Sequence, residues 1–102
     1  MNFKTPLAIA MMLFFSSHYA QTFTMGKKCR ASLESAETAL ESKNYAQALD
    51  LYKLFSSKCK TRDAKEAAAV GNAEAYNGLE NYTEAIAQAD IALKITKNKS
   101  LN

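Results

Sequence analysis

The residues best placed for chemistry are two cysteines, Cys29 and Cys59, each set among cations. Lys27, Lys28 and Arg30 flank the first, and Lys58, Lys60 and Arg62 flank the second. Cations near a thiol favour the thiolate and ease reduction of a disulfide, so redox chemistry is the first function to weigh. There is no Cys-x-x-Cys pair, and the one histidine, His18, falls in a segment that reads as a removable leader. A mature chain without histidine cannot assemble a Ser-His-Asp or Cys-His nucleophile, nor a zinc site that needs histidine. The expectation is therefore no catalytic residues, no metal and no cofactor. The same cations form a candidate patch for anionic surfaces.

The leader has three parts. Met1 to Lys4 carries one positive charge, Pro6 to Phe15 is an apolar run, and Ser16 to Ala20 is polar and ends on a small residue. That order reads as a secretory signal peptide over residues 1–20, cut between Ala20 and Gln21. The apolar run is about half the roughly 20 residues that span a bilayer, so a permanent anchor is the weaker reading. Export to the periplasm or beyond is the expected location, and membrane attachment is not expected after cleavage. Of 13 Lys and Arg, Lys4 leaves with the leader, and 12 cations remain against 10 acidic residues. So small an excess gives no reason to expect nucleic-acid binding, which uses a concentrated basic face. A hydrophobic content of 48% argues against disorder.

Residues 21–28 show no apolar periodicity and read as a flexible lead-in. Beyond them the spacing is helical throughout, so the fold class is all-α. Four helices are expected, over 29–42, 45–58, 64–78 and 82–97. Their inward residues read as Ala31, Ala36, Ala39 and Leu40; then Tyr45, Ala48, Leu49, Tyr52 and Phe55; then Ala69, Ala73 and Tyr76; then Tyr82, Ala85, Ile86, Ala89, Ala92 and Leu93. Asp63 reads as the cap of the third helix. Glu34 and Glu37 fall early in the first helix, and Lys94, Lys97 and Lys99 crowd the end of the fourth, as the backbone dipole favours. Cys29 opens the first helix and Cys59 closes the second, which makes them neighbours in an antiparallel hairpin. A disulfide there closes a loop of about 30 residues and would stabilise the fold by roughly 3.5–4 kcal/mol.

The second half of the chain echoes the first. Lys43-Asn44-Tyr45-Ala46-Gln47-Ala48-Leu49 and Glu80-Asn81-Tyr82-Thr83-Glu84-Ala85-Ile86 share one pattern at an offset of 37 residues. This resembles the tetratricopeptide repeat, a helix-turn-helix unit of about 34 residues. The family's turn aromatic matches Tyr45 and Tyr82, and its small residue in the second helix matches Ala48 and Ala85. Its later large residue matches Tyr52 but becomes Ala89, and its later alanine matches Ala92 but is Phe55 in the first copy. Tyr76 fits the tyrosine of the first helix, where the first copy has Ala39. The family's tryptophan, glycine and proline are replaced by Ser32 and Ala69, Ala36 and Ala73, and Lys60 and Lys97. The resemblance implies two hairpins, over 29–62 and 66–99, with a tail at 100–102.

The resemblance also implies a function: a protein-interaction module that holds a peptide or helix on its concave face, as an adaptor or assembly factor in a bacterial cell envelope. By register that face carries Arg30, Leu33, Glu37, Leu40, Glu41, Ala67, Val70, Glu74 and Asn77. Two hairpins leave the flank of the fourth helix uncovered, where this chain's own copies or another protein would dock. The rival reading is a small secreted effector that binds membranes or anionic surfaces through the cations around the cysteine pair.

Overall fold

The computed structural model describes residues 24–101. The leader expected at 1–20 and residues 21–23 of the lead-in lie outside them. Four helices run in order: α1 (Lys27–Glu41), α2 (Tyr45–Lys58), α3 (Arg62–Gly78) and α4 (Tyr82–Leu101). No strand occurs among the described residues. The second helix starts and stops where the periodicity puts it. The first starts two residues earlier, so Lys27 and Lys28 leave the lead-in and Glu34 and Glu37 move to the middle of the helix, with no acidic residue in its first turn. The fourth runs on through the expected tail as far as Leu101.

The cap of α3 is Thr61 rather than Asp63. Thr61 has extended backbone (φ −69°, ψ 163°), and its hydroxyl accepts a hydrogen bond from the Ala64 amide at 3.1 Å. An N-cap oxygen must sit two or three residues before the amide it serves. Asp63 is already inside the first turn and answers other groups. Its Oδ2 accepts from the Thr24 amide at 2.9 Å, and its Oδ1 takes the Lys99 ammonium.

Both hairpin turns are built alike. After α1, the amides of Ser42, Lys43 and Asn44 donate to the carbonyls of Thr38, Leu40 and Ala39; after α3, those of Leu79, Glu80 and Asn81 donate to Ala75, Asn77 and Tyr76. Every position differs by 37, and each turn places one residue in left-handed backbone, Lys43 and Glu80, both at φ 63°. This is the helix-ending motif in which glycine is the favoured residue, because a Cβ there crowds the carbonyl. Glu80→Gly is accordingly expected to stabilise the protein by about 0.5–1 kcal/mol, relief of strain outweighing the entropy glycine adds to the unfolded chain. Urea denaturation decides it, and a loss of stability would mean that the turn is not strained.

The core is small and rich in alanine. Its largest fully buried side chains are Tyr52, Phe55 and Leu33, surrounded by Ala36, Ala39, Ala48, Ala64, Ala67, Ala68 and Ala75. On α1 the inward stripe differs from the expected one. Ala31 is exposed, and Leu33 is buried at 2%. Burying Leu33 removes far more apolar surface than burying Ala31, and the Cys29–Cys59 disulfide, whose Cα atoms are 5.9 Å apart, lies on the same side of the helix. Cys29, Leu33, Ala36 and Leu40 thus share one face, spaced by four, three and four.

The helix α3 packs against α1, α2 and α4, whereas α4 touches only α3 among the described helices. That is why α3 is buried on nearly every side and is built of small residues. Two of these are glycines, against which tyrosines of α2 lie directly. A methyl group at Gly71 would overlap the hydroxyl end of the Tyr52 ring, and one at Gly78 the same end of the Tyr45 ring.

Candidate functional site

The nine residues expected on the concave face do not all reach a surface. Leu33 and Ala67 are buried, at 2% and 4% exposure, and belong to the core. Their expected role as surface residues is corrected by the rotation of α1 and by the enclosure of α3. Arg30, Glu37, Leu40 and Val70 are half-buried, and Glu41, Glu74 and Asn77 are exposed. Leu40 and Val70 also pack against the core, so each presents an edge rather than a whole side chain.

What remains is a face dominated by carboxylates from α1 and α3. Burial, then the neighbouring Glu41, pushes the Glu37 carboxyl above its ordinary range; Glu34 and Glu74 add to the rise and Arg30 opposes it. Burial alone pushes up Glu74, although the residue as a whole remains exposed. The Tyr52 hydroxyl is driven far above the usual phenol range, by burial first and then by Glu37, Glu74 and Glu41. Glu37 thus lies within electrostatic reach of Glu41 and Glu74, and Tyr52 within reach of all three carboxylates. Burial under-stabilises the charged form of these carboxyls, and an approaching lysine or arginine would stabilise it. The arrangement suits a basic group on a ligand.

At the other end, where α1 begins and α2 stops, Lys28 and Lys58 line a hollow of about 480 Å³ beside the disulfide. Lys27, Lys60 and Arg62 are exposed around it, and Arg30 is half-buried. The bonded cysteine pair suits an oxidising compartment. Among the described residues no helix is long and apolar enough to cross a membrane. Nor do three or more His, Cys, Asp or Glu residues there come together as a metal site.

Sequence reasoning missed a polar cluster that ties the end of α4 to the start of α3. The Lys99 ammonium donates to Asp63 and, at 2.7 Å, to Glu66; the Thr96 hydroxyl also donates to Glu66. Glu66 is buried at 7%, inside the alanine run of α3. The signal was present: a glutamate in a run of buried alanines needs a partner. That partner sits 33 residues away in sequence, among lysines that also fit simple helix termination. Lys99→Ala is expected to cost about 1–2 kcal/mol, mostly by leaving the buried Glu66 carboxylate with only the Thr96 hydroxyl and no counter-charge.

The cluster also sets a pH window. Asp63 is held below the usual carboxylate range, first by its hydrogen bond to Lys99 and then by the Thr24 amide. Its folded value lies below its unfolded value of about 3.9, so its contribution is present above that value and fades as the pH falls through the folded one. Lys99 is raised, by Asp63 first and then Glu66. Its contribution holds below about 10.4 and fades as the pH rises through its folded value. Thermal melts should therefore show an acid step that Lys99→Ala reduces; an unchanged step would place it elsewhere.

The second feature that sequence reasoning placed only in outline is an open groove between α3 and α4. It holds about 370 Å³ and is lined by Ala73, Glu74, Asn77, Tyr82, Ala85, Ile86 and Ala89. Its α4 wall is apolar and unusually bare, with Tyr82 at 56% and Ile86 at 63% exposure, and Leu93 at 65% further along the helix. Here the expectation of an inward stripe over Tyr82, Ala85, Ile86, Ala89, Ala92 and Leu93 is only partly met: Ala92 is buried, Ala85 and Ala89 are half-buried, and the large residues face outward. No family model, curated protein or solved structure matches the chain.

Proposed function

We propose that this chain is an exported, non-catalytic interaction module. Two tetratricopeptide-like hairpins offer their α1–α3 face and the adjoining α3–α4 groove to a peptide or helix of another envelope protein. The observation that carries this reading is the bare apolar wall of α4, Tyr82, Ile86 and Leu93, beside an acidic rim that includes Glu74. A contiguous apolar surface rimmed by charge marks an interaction site on an otherwise soluble domain. The seven accessible residues of the original nine supply the rest: Arg30, Glu37, Leu40, Glu41, Val70, Glu74 and Asn77. The carboxylates favour a partner with basic groups, and the apolar wall favours one with aliphatic anchors.

The test is crosslinking and co-purification from the native envelope without reductant. Charge reversal at Glu37 and Glu41, both accessible, should weaken capture of a recurrent partner at least tenfold without changing the melting temperature. Undiminished capture by that variant would remove the α1–α3 face from the proposal. A second reading has its own observation, the lysine-lined hollow at the disulfide. It expects salt-sensitive binding to anionic vesicles, abolished by Lys28→Glu with Lys58→Glu, and an interaction module should ignore such vesicles.

A further inference from the structure

The two hairpins carry equivalent surfaces, and among the described residues only the first is covered by another helix. On the first, α3 lies over Tyr45, Ala48, Leu49 and Tyr52 of α2. The approach is close because Gly78 accepts the ring of Tyr45 and Gly71 the ring of Tyr52. The two tyrosines are seven residues apart, and so are the two glycines, in the opposite chain direction. Two helical turns on each helix therefore interlock, antiparallel.

The groove on the second hairpin is the same surface shifted by 37 residues. Tyr82, Ala85, Ile86 and Ala89 stand where Tyr45, Ala48, Leu49 and Tyr52 stand, and Ala73, Glu74 and Asn77 stand where Ala36, Glu37 and Leu40 stand. The turns that set each hairpin make matching hydrogen bonds, so the walls meet in the same way. Two changes separate the grooves: Leu40, packed against the core on the first, has become the polar Asn77, and the buried ring of Tyr52 has become the methyl of Ala89. A helix seated in the second groove meets a protruding ring at Tyr82 and a hollow at Ala89, two turns away.

We infer that this groove seats an amphipathic α-helix of a partner protein, antiparallel to α4, in the place α3 takes on the first hairpin. That helix carries a large aliphatic side chain in the Ala89 hollow. Seven residues later it carries glycine or alanine over Tyr82, with a lysine or arginine between them facing Glu74. The inference rests on the interaction reading above and names the ligand of its groove. The cation follows from the same register: Glu37 senses Glu74 across the covered groove, and in the open one Glu74 takes the place of Glu37 with its own carboxyl already raised by burial. A second copy stacked head to tail does not satisfy these demands. The α1 residues in the places of Gly71 and Gly78 are Glu34 and Glu41, which would bring a carboxylate into the Ala89 hollow and another against the Tyr82 ring.

The probes are peptides with the sequence of residues 62–78 of this chain, titrated into the disulfide-bonded protein and followed by fluorescence anisotropy. A peptide carrying Gly71→Leu and Glu74→Lys should bind at least tenfold more tightly than the unchanged peptide. Adding Gly78→Leu to it should remove binding, because the leucine meets Tyr82. In the protein, Ala89→Tyr should reverse the preference and favour the unchanged glycine. Equal affinity of the first two peptides, tolerance of Gly78→Leu, or amide shifts that avoid α4 would each overturn the inference. So would a dimer in sedimentation equilibrium that Ile86→Glu dissociates, since a second copy would then own the groove. If no peptide binds while charge reversal at Glu37 and Glu41 still releases the envelope partner, the interaction module stands and this occupant falls.

Discussion

Gly71→Ala is expected to destabilise the protein by about 2 kcal/mol, against the usual direction of that change. In the middle of a helix, alanine is favoured over glycine by about 1 kcal/mol. Here the added methyl overlaps the hydroxyl end of the Tyr52 ring, and that ring is itself only 2% exposed, so it has nowhere to go. Forcing an extra carbon into a packed core typically costs 1–3 kcal/mol or more, and the overlap here is severe. Gly78→Ala meets Tyr45 in the same way, but Tyr45 is only half-buried and can swing toward solvent. Its cost should stay below about 1 kcal/mol. A double-mutant cycle separates the contact from the helix: Tyr52→Leu makes room for the methyl. The pair should therefore cost at least about 1 kcal/mol less than the two single changes added together. Urea denaturation under non-reducing conditions reads all of these. An alanine variant as stable as the parent would show that α2 and α3 are not in close approach at this point.

That same contact shows what could be read from the chain and what could not. Helical periodicity placed four elements, and α2 to the residue, because Tyr45, Ala48, Leu49, Tyr52 and Phe55 form an unambiguous stripe. The start of α3 moved because one side chain had two plausible employers. Asp63 looked like a cap and is instead a tertiary ligand of Lys99, which freed Thr61 to cap α3. The stripe of α1 was misplaced because alanines are weak markers of a face. Ala31 and Ala36 look alike in sequence, and the face that buries Leu33 and Cys29 decides which of them is buried. Leu33 followed from the same error. Helical spacing alone was enough to keep Glu37, Glu41 and Glu74 out of the core; Glu37 is half-buried and the other two are exposed. The glycines of α3 carried a usable signal, a seven-residue spacing that mirrors the tyrosines of α2. It had no meaning until the direction of the two helices was known.

Removing the disulfide should cost this fold more stability than either Gly71→Ala or Lys99→Ala. The linkage spans 30 residues, and the chain-entropy model assigns a loop of that size about 3.6 kcal/mol. Small domains have only about 5–15 kcal/mol in total, and a core built mainly of alanine buries less apolar area per residue than one of leucine or isoleucine. Cys29→Ser with Cys59→Ser, or dithiothreitol on the parent chain, should therefore lower the unfolding free energy by about 3–4 kcal/mol. The loss should not be uniform. Besides the disulfide, α1 is held by Leu33, Ala36 and Ala39 against α2 and α3. By contrast, α4 is fastened to α3 by Lys99, Thr96 and Ala92, which reduction does not touch. Hydrogen exchange should accordingly show α1 losing protection first and α4 last. A uniform loss would mean that the bridge acts on the unfolded chain alone, and a change below about 0.5 kcal/mol would mean that Leu33 and its neighbours suffice to hold α1. The functional consequence follows from which helix is released. Glu37 and Glu41 are carried by α1, so reduction should abolish binding that depends on the acidic face, while the α3–α4 groove keeps both of its walls.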